Sequence, residues 1–272
     1  MKKITKHLLI FKRRITQQHE LKKLSKIEND TLQKVINAFI VTQKKLHKNE
    51  DLNSFSNCEN YRTKLLADNT PISYKIFSSD KVVSVREICK KAASGKKWCQ
   101  FLYHLVDAID APKVLEIGTN LGISGSYILE AMKNKNGKLT TMEGLPQLCE
   151  ISAAQFATIV PNSKFEVIQG LYENTFSKVI ENKEEYDILF IDGNHQKAPT
   201  LEYFKALKAT IKKTAIFVFD DIYWSDGMTE AWEIIKKDKD VNFSIDLYEQ
   251  GIVIIDKNEP IHHKEFSLHL SY

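Results

Sequence analysis

Residues 113–125 read KVLEIGTNLGISG, and the fold can be worked out from this stretch. The run Lys113–Ile117 predicts a short buried strand, and the apolar spacing of Ser124–Met132 predicts a helix directly after it. Six further short apolar runs follow along the chain, with helical spacing between most of them. This alternation indicates a doubly wound α/β fold, and we predict a mostly parallel sheet of seven strands with one antiparallel strand. The last two runs, Phe243–Tyr248 and Gly251–Ile255, are close enough to form a hairpin.

The turn inside this stretch indicates the kind of ligand. Gly118 and Gly122 permit a sharp backbone turn and the approach of a ligand to main-chain N–H groups at the helix start. The dinucleotide fingerprint GxGxxG would also require glycine at two positions where the chain has Asn120 and Ile123. The pattern therefore favours a compact nucleoside ligand over a dinucleotide pyrophosphate.

A carboxylate closes the second predicted strand. Glu143 lies 25 residues after Gly118. A carboxylate at this place can accept hydrogen bonds from both hydroxyls of a ribose, a bidentate task that Ser and Asn perform less well. The alternative is that Glu143 caps the helix that follows. The glycine turn favours the ribose role.

Together these residues resemble the class I S-adenosylmethionine-dependent methyltransferases, over roughly residues 112–256. The resemblance is carried by the segment Leu115-Glu116-Ile117-Gly118 with Gly122 and the later Glu143. It implies a Rossmann-like methyltransferase fold with S-adenosylmethionine as the cofactor. Within it, Gly118, Asn120 and Ser124 would line the methionine portion, Glu143 would hold the ribose and Gly170 would lie beside the adenine. The segment Gln169-Gly170-Leu171 lacks the acidic residue that many members place there. The implied cofactor-binding set is Glu116, Gly118, Asn120, Ser124, Glu143 and Gly170.

Acidic residues follow the fourth and fifth predicted strands. Asp192 comes directly after Tyr186–Ile191, and the pair Asp220-Asp221 comes directly after Ala215–Phe219. These strands are neighbours in the predicted fold, so the three carboxylates converge and repel one another unless a counter-charge is present. A hard divalent cation supplies that charge, and oxygen-only ligands favour Mg²⁺ over zinc. The alternative is that the acidic pair caps the next helix.

The pattern Asp192-Gly-Asn-His195, with the acidic pair, resembles the metal-dependent O-methyltransferases. In the catechol type a lysine stands at the position of His195, and Asp-Asn replaces Asp220-Asp221. Both departures are similar to the macrolide sugar O-methyltransferases. The resemblance implies Asp192, Asp220 and Asp221 as metal ligands and His195 as the general base for the substrate hydroxyl. The alternative for His195 is a surface position at the start of a helix.

Residues 1–110 predict a helical extension or cap, which precedes a methyltransferase domain over residues 111–272. Ile4, Leu8, Phe11 and Ile15 share one face of a first helix. A second apolar face begins at Leu32 and runs to Leu46, after Asn29-Asp30 as the cap. Residues 50–80 are polar and contain Pro71, which predicts a loop with short helical pieces.

Charge is concentrated at the N-terminus. Residues 1–50 hold 13 Lys and Arg against 4 Asp and Glu, a balance of +9, whereas the rest of the chain has a balance of −5. Such a segment is most often a solvated helix face. The alternatives are contact with nucleic acid, an anionic membrane surface or an acidic partner.

Composition limits the compartment. The four cysteines, Cys58, Cys89, Cys99 and Cys149, form no CxxC pair, so reduced and mostly buried thiols are expected. The apolar run Leu8–Phe11 is too short for a signal peptide, and no stretch approaches the length of a membrane span. We therefore expect a cytoplasmic protein.

The predicted function is methyl transfer to a hydroxyl of a small molecule such as a sugar, a phenol or a natural-product-like compound. Lys197 is a candidate assistant to His195, and Tyr223, Trp224 and Trp98 are candidate walls of an apolar substrate pocket or ordinary packing residues. The alternatives are a methyltransferase acting on RNA or protein and a non-catalytic nucleoside-binding scaffold. Nucleic acid is the less favoured partner, and a homo-oligomer through the N-terminal helices is an open prediction.

Overall fold

The computed structural model describes residues 3–271, with side chains described from His7 onward. Its α-helices are α1 (Lys3–Leu24), α2 (Asp30–Lys44), α3 (Asn49–Ala67), α4 (Val85–Ala92), α5 (Lys96–Asp107), α6 (Ile123–Met132), α7 (Pro146–Phe156), α8 (Tyr172–Glu181), α9 (Lys197–Thr210) and α10 (Asp226–Lys236). Its strands are β1 (Pro71–Ser73), β2 (Val82–Ser84), β3 (Lys113–Ile117), β4 (Lys138–Glu143), β5 (Phe165–Gln169), β6 (Ile188–Ile191), β7 (Thr214–Phe219), β8 (Phe243–Asp246), β9 (Gly251–Asp256) and β10 (Lys264–Ser267).

The described chain divides into two compact units. The central unit comprises residues 45–184, and the terminal unit comprises residues 3–44 and 185–271. The predicted boundary between residues 110 and 111 lies within the central unit and stays a prediction about domains. The alternation of strands and helices confirms the predicted class, a mostly parallel α/β fold.

The central unit contains three parallel strands in the order β3-β4-β5. Leu115 is opposite Thr140 and Thr141 is opposite Val167, so the register carries β3 and β4 to the same end of the sheet. Helices α5 and α3 pack against α6. Because β3 is buried along almost its whole length, its apolar run reads without alternation, as expected for a parallel strand covered on both faces.

The terminal unit contains five strands in the order β10-β8-β9-β7-β6. Strands β6 and β7 are parallel, whereas β9 runs antiparallel to both β7 and β8. The hairpin predicted from residues 243–255 is therefore present. The prediction of seven strands missed β10, which pairs parallel with β8. Its sequence, Lys264-Glu-Phe-Ser267, offers a single buried apolar residue, Phe266, so it carries no apolar run.

Helix α1 is where the predicted apolar face is wrong. Leu8, Phe11 and Ile15 are 63%, 63% and 65% exposed, and the side chain of Ile4 lies outside the described residues. The buried face is instead formed by Ile10, Arg13, Gln17, Leu21 and Leu24. Apolar periodicity misplaced this face because two of its members are polar and become satisfied only by distant residues.

The two polar members bond to the C-terminal part of the chain. The guanidinium of Arg13 donates to Oδ1 of Asp246 at 2.6 Å, with both side chains buried. Oε1 of Gln17 accepts from the backbone N–H of His269 at 2.7 Å. Tyr223 also donates to Asp246, at 2.5 Å. One of the basic residues of the N-terminal segment is therefore used inside the terminal unit, while an oligomer through these helices stays a prediction.

Helices α2 and α3 show one confirmed and one wrong expectation. Oδ1 of Asn29 accepts from the backbone N–H of Leu32 at 2.9 Å, which confirms the predicted cap of α2. Residues 50–80, expected as a loop, instead contain most of the 19-residue helix α3. Its buried stripe mixes polar with apolar residues, so the helical spacing is hidden; the stripe is Asp51, Ser54, Phe55, Cys58 and Leu65.

Two expectations from composition can be compared with the described residues. Within residues 3–271, no helix combines the length and the apolar character needed to cross a membrane. The four cysteines are all free and buried, as expected for reduced thiols.

Candidate functional site

The chain leaves β3 through a turn that is left-handed at three alternate positions. Gly118 has φ +112°, Asn120 has φ +50° and Gly122 has φ +73°. The side chain of Asn120 supports its own strained backbone, because its Oδ1 accepts from the backbone N–H of Leu121 at 2.7 Å. Left-handed backbone at a non-glycine residue is uncommon and clusters at functional sites.

Gly122 and Gly125 are required by packing against α7. A Cβ at Gly122 would lie 2.8 Å from Cβ of Ser152, and one at Gly125 would lie 2.5 Å from the Phe156 ring. Glycine at these places lets α6 approach α7 closely, as the last glycine of nucleotide-binding turns does. At Gly122 the structure thus supplies a reason, close helix packing, beyond the ligand approach that the sequence suggested.

Glu143 closes β4 and is held rigidly by main-chain donors. Its Oε2 accepts from the backbone N–H of Asn120, and its Oε1 accepts from that of Leu145, each at 2.9 Å. The backbone N–H of Gly170 donates to the Glu143 carbonyl at 2.9 Å. Burial raises the pKa of Glu143, whereas the backbone donors lower it. Through its bonds with Asn120 and Gly170, Glu143 joins the ends of β3, β4 and β5. Its carboxylate still has lone-pair capacity for a further donor.

Glu116 lies beneath this turn and is fully buried. Its Oε1 accepts from the Ser124 hydroxyl at 2.5 Å and its Oε2 from the Thr141 hydroxyl at 2.7 Å. A further hydroxyl contact of 2.6 Å joins Thr141 to Thr119. Desolvation raises the pKa of Glu116 from 4.5 to about 7. This bonding favours a supporting role for Glu116 and Ser124, and their direct contact with a cofactor stays a prediction.

Glu116→Gln is expected to change how stability depends on pH. A folded-state pKa above the unfolded value favours the protonated carboxyl in the folded chain. Its contribution is therefore fully present below about pH 4.5 and is lost as pH rises through about 7. The shift corresponds to at most about 3 kcal/mol. Urea unfolding should show Glu116→Gln close to the wild type at pH 5 and more stable than it at pH 8.

The matched control for this prediction is Glu150→Gln, which removes an exposed carboxylate on α7. Its stability should follow the wild-type pH dependence. A Glu116→Gln curve that runs parallel to the wild-type curve between pH 5 and pH 8 would contradict the buried, protonated state of Glu116.

The predicted acidic residues lie together in the terminal unit. Ile191 is opposite Phe219 in the parallel pair β6 and β7, so the next residues, Asp192 and Asp220, emerge side by side. Their side chains hydrogen-bond to each other. A hydrogen bond between two carboxyl groups forms only while one of them is protonated. Burial, followed by the charge of Asp221, raises the pKa of Asp220.

His195 lies between two of these carboxylates. Its Nε2 is 3.6 Å from Oδ1 of Asp192, and its Nδ1 is 3.9 Å from Oδ2 of Asp221. His195 is half-buried, and so are both aspartates. The imidazole therefore has an acidic partner on each side. The histidine precedes α9, but it is not merely an exposed residue at a helix start.

Backbone strain accompanies these side chains. Asn194 has φ +66° and Asp221 has φ +55°, both in the left-handed region. Such conformations cost roughly 1–3 kcal/mol each and persist where the surroundings impose them, often at functional sites. The strain falls next to His195 and at the acidic pair, which the sequence had selected independently.

Gln250 is a member of this group that the sequence analysis missed. Its Nε2 donates to Oδ1 of Asp220 at 3.0 Å, while its buried Oε1 has no hydrogen-bond partner among the described residues. The antiparallel register that places Phe219 opposite Gly251 brings Gln250 to Asp220. Only knowledge of this pairing could have identified it, because a glutamine before a strand carries no local signal.

The predicted metal ligands Asp192, Asp220 and Asp221 do not form a compact group of three ligand atoms among the described residues. Within residues 7–271, the only group of three metal-ligand atoms all within 4.8 Å of one another is elsewhere, at His47, Asp51 and His104. The ring of His195 lies between Asp192 and Asp221 and separates the two carboxylates. The residues predicted to bind the cofactor lie in the central unit, and Asp192, His195, Asp220 and Asp221 lie in the terminal unit.

Lys197 and Tyr223 bond to residues outside the acidic group, and the two tryptophans differ in exposure. Lys197 pairs with Glu230 at 2.6 Å. Tyr223 donates to Asp246 and its ring packs against Tyr248, so it belongs to the network under α1. Trp98 is buried within α5, whereas Trp224 is 73% exposed.

Comparison with known sequences identifies a domain in the middle of the chain. The family model for a methyltransferase domain matches residues 115–222. The O-methyltransferase ankF of Aspergillus thermomutatus is 30% identical over 113 residues, which cover 41% of this chain and 46% of ankF. The catechol O-methyltransferase of Mycobacterium tuberculosis is 25% identical over 164 residues, covering 60% of this chain and 70% of that protein. The match to ankF thus spans less than half of either protein.

Solved structures agree on the fold. The O-methyltransferase from Bacillus cereus, in complex with SAH, aligns with a TM-score of 0.52 and 21% identity, covering 61% of this chain and 84% of that one. The O-methyltransferase TomG from Streptomyces achromogenes, in complex with SAM, aligns with a TM-score of 0.51 and 21% identity, covering 61% and 82%. At this identity the likeness establishes the Rossmann-like methyltransferase fold.

Proposed function

We propose that this chain, which belongs to the class I methyltransferases, transfers a methyl group from S-adenosylmethionine to a hydroxyl of a small molecule. A divalent cation assists this transfer. The observation that carries the proposal is the meeting of carboxylates around His195 at the ends of β6 and β7. The O-methyltransferase relatives and the SAM and SAH complexes named above support the donor and the kind of acceptor.

The donor would be held in the central unit by the turn after β3 and by Glu143. Both Glu143 oxygens are fixed by backbone donors and still have lone pairs for the two hydroxyls of a ribose. Gly118 and Asn120 shape the turn that would face the methionine portion, and Gly170 directly follows β5, where the adenine would lie. S-adenosylmethionine, when bound, would supply a methyl group on its sulfonium: the acceptor oxygen would bond to the methyl carbon in line as the C–S bond breaks and S-adenosylhomocysteine leaves.

The acidic residues offer oxygen ligands of the kind that a hard divalent cation prefers, although His195 separates Asp192 from Asp221 in the structure. Asp192 and Asp220 follow neighbouring parallel strands and are hydrogen-bonding neighbours, and the charge of Asp221 acts on Asp220. A cation bound by these oxygens would relieve the repulsion between them. Such an oxygen donor set suits Mg²⁺ better than zinc. The cation, when bound, would lower the pKa of a hydroxyl that coordinates it.

The remaining chemistry belongs to His195. We assign its Nε2 as the atom that accepts the hydroxyl proton, while Nδ1–H is oriented by Asp221. Asp192, on the Nε2 side, would stabilise the imidazolium that forms. Gln250 would orient Asp220 through its amide N–H. Methyl transfer needs little beyond this positioning of the nucleophile.

The decisive experiment uses the full chain with isotopically labelled S-adenosylmethionine and a panel of phenols, sugars and other hydroxylated compounds. S-adenosylmethionine is expected to raise the melting temperature, and a hydroxylated acceptor is expected to become labelled. Activity should collapse after treatment with EDTA and return on addition of Mg²⁺. Undiminished activity after stringent removal of metal would eliminate the cation assignment.

Two controls separate the alternative functions. RNA and protein substrates belong in the same panel, and their exclusive labelling would replace the small-molecule acceptor; an RNA interface would also weaken steeply with salt. Binding of S-adenosylmethionine without labelling of any acceptor, together with unchanged behaviour of Asp192→Asn, would identify a nucleoside-binding protein instead.

A further inference from the structure

A second group of metal-ligand side chains lies in the central unit, among residues that the proposed function does not use. His47 precedes α3, Asp51 lies in its first turn and His104 lies on α5. One ligand atom from each lies within 4.8 Å of the other two. Asp51 and His104 are buried and His47 is half-buried. We call these three residues the His-Asp cluster.

The two imidazoles point nitrogen to nitrogen. Nδ1 of His47 is 2.9 Å from Nε2 of His104, and the rings are parallel to within 1°. Two nitrogens in a tetrahedral zinc site, with Zn–N bonds of 2.0–2.1 Å, are about 3.3 Å apart. A cation bound by both nitrogens would replace the proton of this hydrogen bond. Both rings would have to turn toward it and to separate by a few tenths of an ångström.

The carboxylate of the cluster is oriented by its neighbours. Oδ2 of Asp51 accepts from the backbone N–H of Lys48 at 2.7 Å, and Oδ1 accepts from the hydroxyl of Tyr103 at 3.2 Å. Metal-ligating carboxylates are characteristically held in this way by outer hydrogen bonds. The Phe55 ring packs perpendicular to both histidine rings and covers that side of the cluster with apolar surface.

We propose that the His-Asp cluster is a zinc-type metal site, with His47 Nδ1, His104 Nε2 and an Asp51 oxygen as ligands. Two imidazoles and one carboxylate are a ligand set typical of Zn²⁺ and unlike the all-oxygen set preferred by Mg²⁺. The ion would fasten the segment before α3 to α5. This site is independent of the acidic residues around His195 and of the methyl-transfer reaction.

The protonation states agree with this assignment. Burial lowers the pKa of His47, and burial lowers that of His104 to about 4. Both imidazoles are therefore neutral near pH 7, which is the form that binds metal. Lys45 and Lys96 also lower the pKa of His47, whereas the charge of Asp51 raises the pKa of both histidines.

The test uses the full chain carrying Asp192→Asn and Asp221→Asn, so that the proposed cation site near His195 does not contribute. After removal of metal with a chelator, calorimetric titration with Zn²⁺ should give one equivalent per chain. Co²⁺ should give the visible absorption of a tetrahedral site. His104→Gln should weaken Zn²⁺ binding by more than the roughly 10–100-fold that loss of an outer partner costs, and Tyr103→Phe should weaken it by about tenfold.

Matched controls are available in the same chain. Tyr127→Phe removes a buried hydroxyl that donates to Glu59 and should leave Zn²⁺ affinity unchanged. His262→Gln removes an exposed histidine and should also have no effect. If the folded, metal-free chain fails to bind Zn²⁺, or if His104→Gln and Tyr103→Phe bind it as tightly as their parent, the His-Asp cluster is a hydrogen-bonded pair of neutral histidines and the proposal is overturned.

Further measurements distinguish loss of Zn²⁺ binding from a folding defect and from failure of the proposed methyl transfer. If His104→Gln does not fold, the Co²⁺ spectrum of the parent and the affinity of Tyr103→Phe decide the outcome. Methyl transfer is measured on the chain with Asp192 and Asp221 intact, so failure of the proposed function leaves the zinc result readable, and the reverse also holds.

Discussion

His195→Ala is expected to lower kcat for methyl transfer by about 10²–10⁴-fold while the Kd for S-adenosylmethionine stays unchanged. The imidazole lies between Asp192 and Asp221, and histidine is the side chain best suited to proton transfer near neutral pH. Its loss leaves two carboxylates, which are weak bases. The residues predicted to bind the cofactor lie in the other compact unit, so the substitution leaves them unchanged.

The measurement is kcat as a function of pH, with calorimetry for the cofactor. The limb of the wild-type profile that reports the base should disappear in His195→Ala. His262→Ala, an exposed histidine, is the matched control and should retain the wild-type profile. A pH–rate profile with the same limb in His195→Ala would assign the base to another residue.

Glu143→Gln is expected to weaken S-adenosylmethionine binding by about 10²–10³-fold. Both carboxylate oxygens accept backbone N–H groups, from Asn120 and Leu145, so an amide would place its NH₂ against one of these donors. The variant would also lose a charged acceptor for a ribose hydroxyl, and each hydrogen bond to a charged group contributes about 1.5–3 kcal/mol. Glu150→Gln, on the exposed side of α7, should bind as tightly as the wild type.

A second ligand separates the ribose contact from damage to the turn. The 2′-deoxy analogue should bind the wild type more weakly than S-adenosylmethionine does, and Glu143→Gln should bind the two ligands almost equally. If the variant and the wild type discriminate against the deoxy analogue by the same factor, Glu143 supports the turn but does not hold the ribose.

Much of the fold could be predicted because its signals are local. Strands β3 and β6, which precede the glycine turn and Asp192, are short runs rich in apolar residues and bounded by turn residues, as is typical of buried parallel strands. The acidic and histidine positions at strand ends could be predicted for the same reason. In a parallel sheet, every strand of one direction ends at the same edge.

Other features depend on partners that are distant in sequence. The buried face of α1 includes Arg13, whose ion pair with Asp246 spans 233 residues. Burial of a charged residue is favourable only when its partner is present, so periodicity alone placed the apolar face on the exposed side. Helix α3 was missed because its buried stripe contains Asp51 and Ser54, which local composition assigns to a loop.

By itself, the sequence determined the alternation of strands and helices from β3 to β9, the glycine turn after β3 and the carboxylates at strand ends, because each follows from the residues of one short segment. Only the tertiary structure decided that Asp192 lies beside Asp220, that Gln250 holds Asp220, and that His47 faces His104 across 57 residues. These contacts depend on strand register and helix packing, which arise from the sum of many distant interactions and leave no mark on any single stretch of the chain.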